Sequence, residues 1–322
     1  MSAVLVVRPS SLGDIVYALA IVSDIAQHDP QLAVDWVAER AFVPLVQLDP
    51  RVRRVIPLGL RSWREQPLRP ATWHEMRTFR RELVRERYSA VLNLQEQVKG
   101  AIVTRMARGT RHGFDVESVR ERASTWFDDV HHHAPRPLHF VERCRRLAAA
   151  ALGYEVAGPP RWQWRPGTLS PVPMPRPYVV ALHMSSRAEK WWPQERWSAL
   201  LRHVATAGFD VVVPWGDDDE RARSEALAKG VDGVRVPPHM TLPQIASLLQ
   251  SATVVVGVDT GLTHFAAALQ TPTVALFTTT DARQAGVAIT GNGMDLGGNG
   301  TIPTVDEAIA ATALLLHAQP RC

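Results

Sequence analysis

Short apolar runs, rich in β-branched residues, alternate with helical stretches along almost the whole chain, and the pattern occurs twice. In the first half strand-like runs fall at 3–8, 33–38, 54–58 and 90–94, with helical patterns at 14–27, 73–87, 97–107 and 138–152. In the second half strands are expected at 178–183, 209–213, 252–258 and 272–277, and helices near 194–207, 218–229, 242–250 and 261–269. Such alternation implies parallel sheets with helices on both faces. Between the halves, residues 159–177 hold seven of the 24 prolines, too dense for a helix, so the stretch reads as an extended linker. The expected division is a first domain at 1–157, a linker at 158–177, a second domain at 178–303 and a closing segment at 304–322. At 322 residues the chain is long enough for two domains, and two such units would leave a cleft between them.

Composition removes several classes. No apolar run approaches the roughly 18–20 residues a membrane span requires. The chain enters a strand at once, with Arg8 soon after, so no signal peptide is expected. Cys144 and Cys322 suggest neither a disulfide framework nor a metal site, and the cytoplasm is the default compartment. Neither half carries a Gly-x-Gly-x-x-Gly fingerprint after its first strand, which counts against an NAD-dependent dehydrogenase. The charge is uneven. Residues 1–160 carry 23 Lys and Arg against 18 Asp and Glu, whereas 161–322 carry 13 against 14, together giving the net +4. All but three of these cations are arginine, which suits bidentate pairing with phosphate and carboxylate. A basic half points to nucleic acid, an anionic membrane surface or an anionic substrate. Nothing resembles a nucleic-acid module, so no nucleic-acid partner is expected.

Two turns carry the chemistry. The apolar run 252–256 leads into Gly257-Val258-Asp259-Thr260-Gly261-Leu262-Thr263-His264 and a helix, so free backbone N–H groups at a helix N-terminus follow a strand. That is where an open α/β sheet binds anions and nucleotides. The run 3–7 leads likewise into Arg8-Pro9-Ser10-Ser11-Leu12-Gly13-Asp14. Ser11 and Asp14 stand three apart, as in a capping box. Glycine in a first helical turn costs about 1 kcal/mol against alanine, and Gly13 there suits close approach by a ligand or another backbone.

Ser-Ser-Leu-Gly-Asp at 10–14 and Asp-Thr-Gly-Leu-Thr-His at 259–264 together resemble the marks of the ADP-heptose:lipopolysaccharide heptosyltransferases, glycosyltransferase family 9. His-Gly-Phe-Asp at 112–115, Phe-Val-Glu-Arg at 140–143, Lys-Trp-Trp-Pro at 190–193 and Pro-Trp-Gly at 214–216 follow in the family's order, so the likeness covers nearly the whole chain. The start and the 112–115 segment favour the member that adds the first heptose. The resemblance implies a GT-B fold, two Rossmann-like domains with parallel sheets facing across a cleft, in which the helix near 305–317 packs back on the first domain. It implies inverting transfer of L-glycero-D-manno-heptose from ADP-heptose to the inner Kdo of Kdo2-lipid A, in lipopolysaccharide inner-core biosynthesis. The enzyme would act without metal, as a monomer, on the inner face of the inner membrane.

Roles follow for individual residues. Asp14 aligns with the family's catalytic aspartate; a helix N-terminus keeps such a carboxylate ionised, and its strength as a base must come from its placement. Lys190 would meet the charge growing on the departing diphosphate. Ser185 and Ser186, where the family often has threonines, would add hydroxyl donors, and Asp259, Thr260, Gly261 and His264 would complete the donor site. Glu220 aligns with a ribose-binding glutamate and Met240 with a methionine near the adenine. On the acceptor side stand Ser10, Ser11, Gly13, Arg61, Arg64, Lys99, Arg120 and Arg143, suited to the carboxylates and phosphates of Kdo and lipid A. Glu96 departs from the small residue common there, and pairing with a neighbouring arginine is its expected role. Trp63, Leu68 and Trp73 lie near these basic residues, at a candidate bilayer contact. Asp217-Asp218-Asp219 reads as helix-capping carboxylates before a metal motif, and His131-His132-His133 with His139 is not expected to bind metal. Other readings are a later heptosyltransferase, a non-catalytic binder of nucleotide or anionic lipid, and a sugar-nucleotide epimerase. The Asp14–Lys190–Asp259 set opposes the binder and the arginine-rich first half opposes the epimerase.

Overall fold

The structure, a computed structural model, describes residues 2–165, 172–174 and 176–318. The chain divides into two compact units, Met1–Arg165 and Pro166–Cys322. The first therefore runs eight residues past the expected 157. Prolines offer no N–H, so this strip is held by other donors. Trp162 Nε1 donates to Val16 O at 2.6 Å, the Arg165 N–H donates to Leu48 O at 2.6 Å, and Arg145 reaches Ala157 O and Gly158 O. Of the expected linker, residues 166–171 and 175 lie outside the described residues, as does Cys322.

The N-terminal unit is a six-stranded sheet of β1 (Ala3–Val7), β2 (Ala33–Glu39), β3 (Val52–Leu58), β4 (Arg87–Asn93), β5 (Arg108–Phe114) and β6 (Val130–His132). Its order is β3-β2-β1-β4-β5-β6, with every pairing parallel. The helices are α1 (Leu12–His28), α2 (Val43–Val46), α3 (Leu60–Glu65), α4 (Pro70–Val84), α5 (Val98–Met106) and α6 (Phe140–Leu152). Helix α1 is apolar on nearly every side and buries Ile15 through Val22, which a surface helix would not do. It packs on α6, where Arg145 clasps Asp24 through two bonds of 2.7 and 2.9 Å.

The C-terminal unit repeats the plan with β7 (Tyr178–Leu182), α7 (Gln194–Thr206), β8 (Asp210–Val212), α8 (Asp218–Ala228), β9 (Val234–Arg235) and α9 (Leu242–Ser251). It continues with β10 (Val254–Val258), α10 (Gly261–Ala268), β11 (Thr273–Phe277), α11 (Ala282–Ala285), β12 (Gly293–Gly297) and α12 (Val305–Ala318). The order is β12-β11-β10-β7-β8-β9, again all parallel. In each sheet the strand order reverses once, between β1 and β4 and between β7 and β10, and at such a reversal the loops leave in opposite directions and open a crevice. Helix α12 buries Ala308 and Ala311 in the core of the C-terminal unit with Trp192, Trp197 and Leu276.

Close packing fixes the turn after β10. Thr263 Oγ1 donates to Val258 O at 2.7 Å, and a Cβ on Gly257 would stand 2.1 Å from that hydroxyl oxygen. Gly257→Ala is therefore expected to overpack the turn and cost about 1–3 kcal/mol, read as a lower urea midpoint with unchanged m-value.

Candidate active site

Each unit gathers candidate site residues at its own sheet reversal. In the N-terminal unit β1 delivers Arg8, whose side chain is buried. Its Nη1 donates to Leu94 O, at the end of β4, at 2.5 Å, and its Nη2 pairs with Asp14 Oδ2 at 2.5 Å. The guanidinium also lies 4.7 Å over the Phe140 ring. Ser11 caps α1 and donates to the same Asp14 oxygen through its N–H at 3.1 Å and its hydroxyl at 2.8 Å. The capping box is therefore present, and it is part of the site. Burial alone would raise the Asp14 pKa, but Arg8 and the two Ser11 bonds outweigh it and hold the carboxyl below its ordinary value. All these contacts engage Oδ2, so Oδ1 is the oxygen left to accept a proton.

The expected acceptor cations separate into two groups. Arg61, Arg64, Lys99 and Arg120 are exposed, and Glu39 accepts from the Arg61 N–H close enough to Lys99 to feel its charge. Arg143 is different: it is buried, paired with Glu96 and bonded to Ala134 O and Ser118 O, so it stabilises the interior and does not face solvent. That pairing is the role expected of Glu96. It also explains Phe-Val-Glu-Arg, since Phe140 lies beneath Arg8 and Arg143 together. Ser10 and Ser11 are at least partly accessible and Gly13 is buried. Trp63 is buried against Phe79, which removes it from the candidate bilayer contact; Leu68 and Trp73 remain exposed.

In the C-terminal unit β7 leads into His183 and β10 into Asp259. Lys190 Nζ lies 2.6 Å from Asp259 Oδ2, and His264 Nε2 lies 3.1 Å from Asp259 Oδ1. Burial would raise the Asp259 pKa, but His264 and Lys190 outweigh it and hold the carboxyl far below the usual range. The two tryptophans after Lys190 fix its loop. Trp191 Nε1 donates to Ser185 O at 2.7 Å and Trp192 Nε1 to Pro303 O at 2.8 Å, while the Thr278 hydroxyl donates to Glu189 O at 2.7 Å. Helix α10 starts from Thr260, and its first intrahelical donors are Thr263 and His264, so the Gly261 and Leu262 N–H groups are those an anion would meet. Beside this turn is a cavity of about 250 Å³ lined by Ser185, Ser186, Glu220, Met240 and Thr260 among others. Glu220 accepts from the Gly216 N–H at 2.7 Å, and burial raises its pKa.

The cavity adds one residue that the motifs did not assign. His183 is buried on its wall, with Nε2 2.8 Å from the Ser224 hydroxyl and Nδ1 without a hydrogen-bond partner among the described residues. Burial, aided by Arg223, pushes its pKa down to about 4, so it is neutral at physiological pH. Only its place at a strand's end hinted at this.

The suspected metal motifs have local partners. Asp217 caps α8, accepting from the Glu220 N–H at 2.9 Å. His131 contacts Thr125 O, His132 stacks on His112, and His139 caps α6. His133 contacts Asp115 Oδ2 at 2.7 Å, and with Glu117 these form a group whose ligand atoms lie within 4.8 Å of one another, on the surface. Cys144 is buried, and burial pushes its thiol up to about 12, so it is inert.

Each unit is a doubly wound parallel sheet with charged and polar side chains gathered at its reversal, where such sheets bind ligands. Residues 76–303 match the glycosyltransferase family 9 (heptosyltransferase) pattern. The chain is 37% identical over 290 residues to lipopolysaccharide heptosyltransferase 1 of Salmonella typhimurium, covering 86% of this chain and 89% of that protein. The Pseudomonas aeruginosa protein of the same name is 36% identical over 284 residues, covering 85% and 78%. The structure of E. coli heptosyltransferase WaaC with ADP superposes with a TM-score of 0.90 at 33% identity, covering 97% of this chain and 99% of that one. The chain belongs to glycosyltransferase family 9 and is a glycosyltransferase of the GT-B fold.

Two outcomes test the electrostatics. Arg8→Met removes the cation on Asp14 and is expected to raise that carboxyl's pKa, read by carbon NMR of labelled aspartate across an acid titration. Lys190→Met leaves Asp259 buried with one partner fewer and is expected to cost about 3 kcal/mol at neutral pH. A depressed carboxyl stabilises the fold above its unfolded pKa of about 3.9 and loses that contribution as pH falls toward its folded value. The stability gap between native and Lys190→Met protein should therefore narrow below about pH 4 in urea titrations.

Proposed function

We propose that this protein transfers L-glycero-D-manno-heptose from ADP-heptose to the inner Kdo of Kdo2-lipid A, building the lipopolysaccharide inner core. The relatives named lipopolysaccharide heptosyltransferase 1 support the class of product, and the WaaC structure with ADP-2-deoxy-2-fluoro heptose, at 33% identity and a TM-score of 0.85, supports the donor. The observation that carries the mechanism is Asp14. It is an ionised carboxylate with one oxygen fixed by Arg8 and Ser11 and the other free. That free oxygen would take the proton of the acceptor hydroxyl as its oxygen attacks the anomeric carbon. The bond from that carbon to ADP breaks in the same displacement, which inverts the configuration.

Negative charge then gathers on the leaving diphosphate. Lys190, held at the turn by Asp259, and the N–H groups opening α10 would receive it, with Ser185 and Ser186 adding hydroxyls. Glu220 would bind the ribose and Met240 pack on the adenine, both beside the cavity. We propose that this cation and these dipoles replace a metal. The exposed Arg61, Arg64, Lys99 and Arg120, with Ser10, Ser11 and Gly13, would hold the anionic acceptor. The enzyme would work as a monomer at the inner face of the inner membrane; no described helix is long and apolar enough to cross one.

ADP release from ADP-heptose, with and without Kdo-bearing lipid A, tests the reading. Release should need the acceptor and survive EDTA, and Asp14→Asn should lower kcat by about 10²- to 10⁴-fold while ADP-heptose still binds. Binding without release on any Kdo acceptor would move the assignment to a later acceptor or to a binder.

A further inference from the structure

Helix α4 has two unlike faces. Thr72, Phe79 and Leu83 are buried beneath it. Its acids turn away from the outer face: Glu75 pairs with Arg40 at 2.7 Å and accepts from Trp63 Nε1 at 2.9 Å, and Glu82 pairs with Arg54 at 3.5 Å and Arg85 at 3.6 Å. The outer face carries Arg69, Trp73, Met76, Arg77 and Arg80, at the spacing of one helix side, and Leu68 precedes them. Leu68 is 89% exposed, Trp73 53% and Met76 39%. Arg69, Arg77 and Arg80 make no ion pair among the described residues, and no exposed acid interrupts them along this face.

We propose that this face of α4, with Leu68, docks on an anionic lipid bilayer. Three apolar side chains at the level of three unpaired arginines are the composition that a phospholipid surface takes up: the apolar groups enter the boundary between headgroups and acyl chains, and the guanidiniums meet lipid phosphates. A nucleic acid would satisfy the arginines and stack on Trp73, yet it would leave Leu68 and Met76 in water. Arg61, Arg64, Lys99 and Arg120 are not among these side chains, so docking and acceptor recognition use different residues. This inference rests on the peripheral membrane placement proposed above and names the element that provides it.

The test uses the full chain and sedimentation with sucrose-loaded vesicles of phosphatidylethanolamine with phosphatidylglycerol, or of phosphatidylcholine alone. The native protein should partition onto the anionic vesicles and lose them as salt rises. The double variant Arg77→Glu, Arg80→Glu should lower that partition roughly tenfold or more. Leu68→Ser with Trp73→Ser should lower it with the salt dependence kept. Brominated lipid should quench native fluorescence, and Trp73→Phe should remove that quenching. All variants should transfer heptose to a water-soluble, deacylated Kdo acceptor at the native rate, so a failed docking surface and a failed transferase assignment give different results. Native-like partition of both double variants overturns the proposal, as does binding of the native protein to single-stranded RNA without binding to anionic vesicles.

Discussion

A parallel sheet cannot show either face to water, because the crossovers that join its strands are helices laid across those faces. Everything chemical in this protein is therefore confined to strand ends. The strand order then selects which ends: in each sheet the loops diverge at one place only, beside β1 and β4 in one unit and beside β7 and β10 in the other. Arg8, Asp14 and Leu94 gather at the first reversal and His183, Lys190 and Asp259 at the second. Within each unit topology brings distant residues together, Leu94 to Arg8 and Lys190 to Asp259.

Both reversals use the same electrical arrangement, a carboxylate held ionised against burial by a cation: Arg8 from the same β1–α1 turn as Asp14, and Lys190 from the loop after β7, beside Asp259 after β10. The purposes differ. Asp14 keeps one oxygen free, whereas Asp259 has both oxygens engaged, by Lys190 and by His264. A carboxylate with both oxygens occupied is an anchor, and Asp259 fits that part by fixing Lys190 beside the opening N–H groups of α10. Trp191 and Trp192 extend the anchoring into the core, so the short segment from Ser185 to Lys190 is braced at both ends.

The long apolar strands and amphipathic helices were legible in the sequence because burial on both faces leaves little choice of residue. Strands β5, β6, β9 and β12 were not. Arg108–Phe114 is mostly polar, Gly293–Gly297 is punctuated by glycine, and two- or three-residue strands have no periodicity to detect. The linker was placed by its prolines, but prolines reveal nothing about Trp162 or Arg165 anchoring its first part to the N-terminal unit. Asp14, Lys190 and Asp259 stood out because each follows a strand in a recognisable turn. The burial of Arg143 is not legible for a general reason: sequence reveals an arginine's charge but not whether a Glu96 waits for it in the interior. His183 left no signal beyond its position, since an orphaned ring nitrogen exists only once the cavity is built.

The outermost strands have a consequence for association. An unpaired strand edge invites a second chain to continue the sheet, and proteins blunt such edges with brevity, charge, proline and glycine. Here β6 has three residues and β9 two, β3 carries Arg53, Arg54 and Pro57, and β12 begins and ends in glycine around Asp295. Four rims, each spoiled in its own way, leave a neighbouring copy no clean ladder to join.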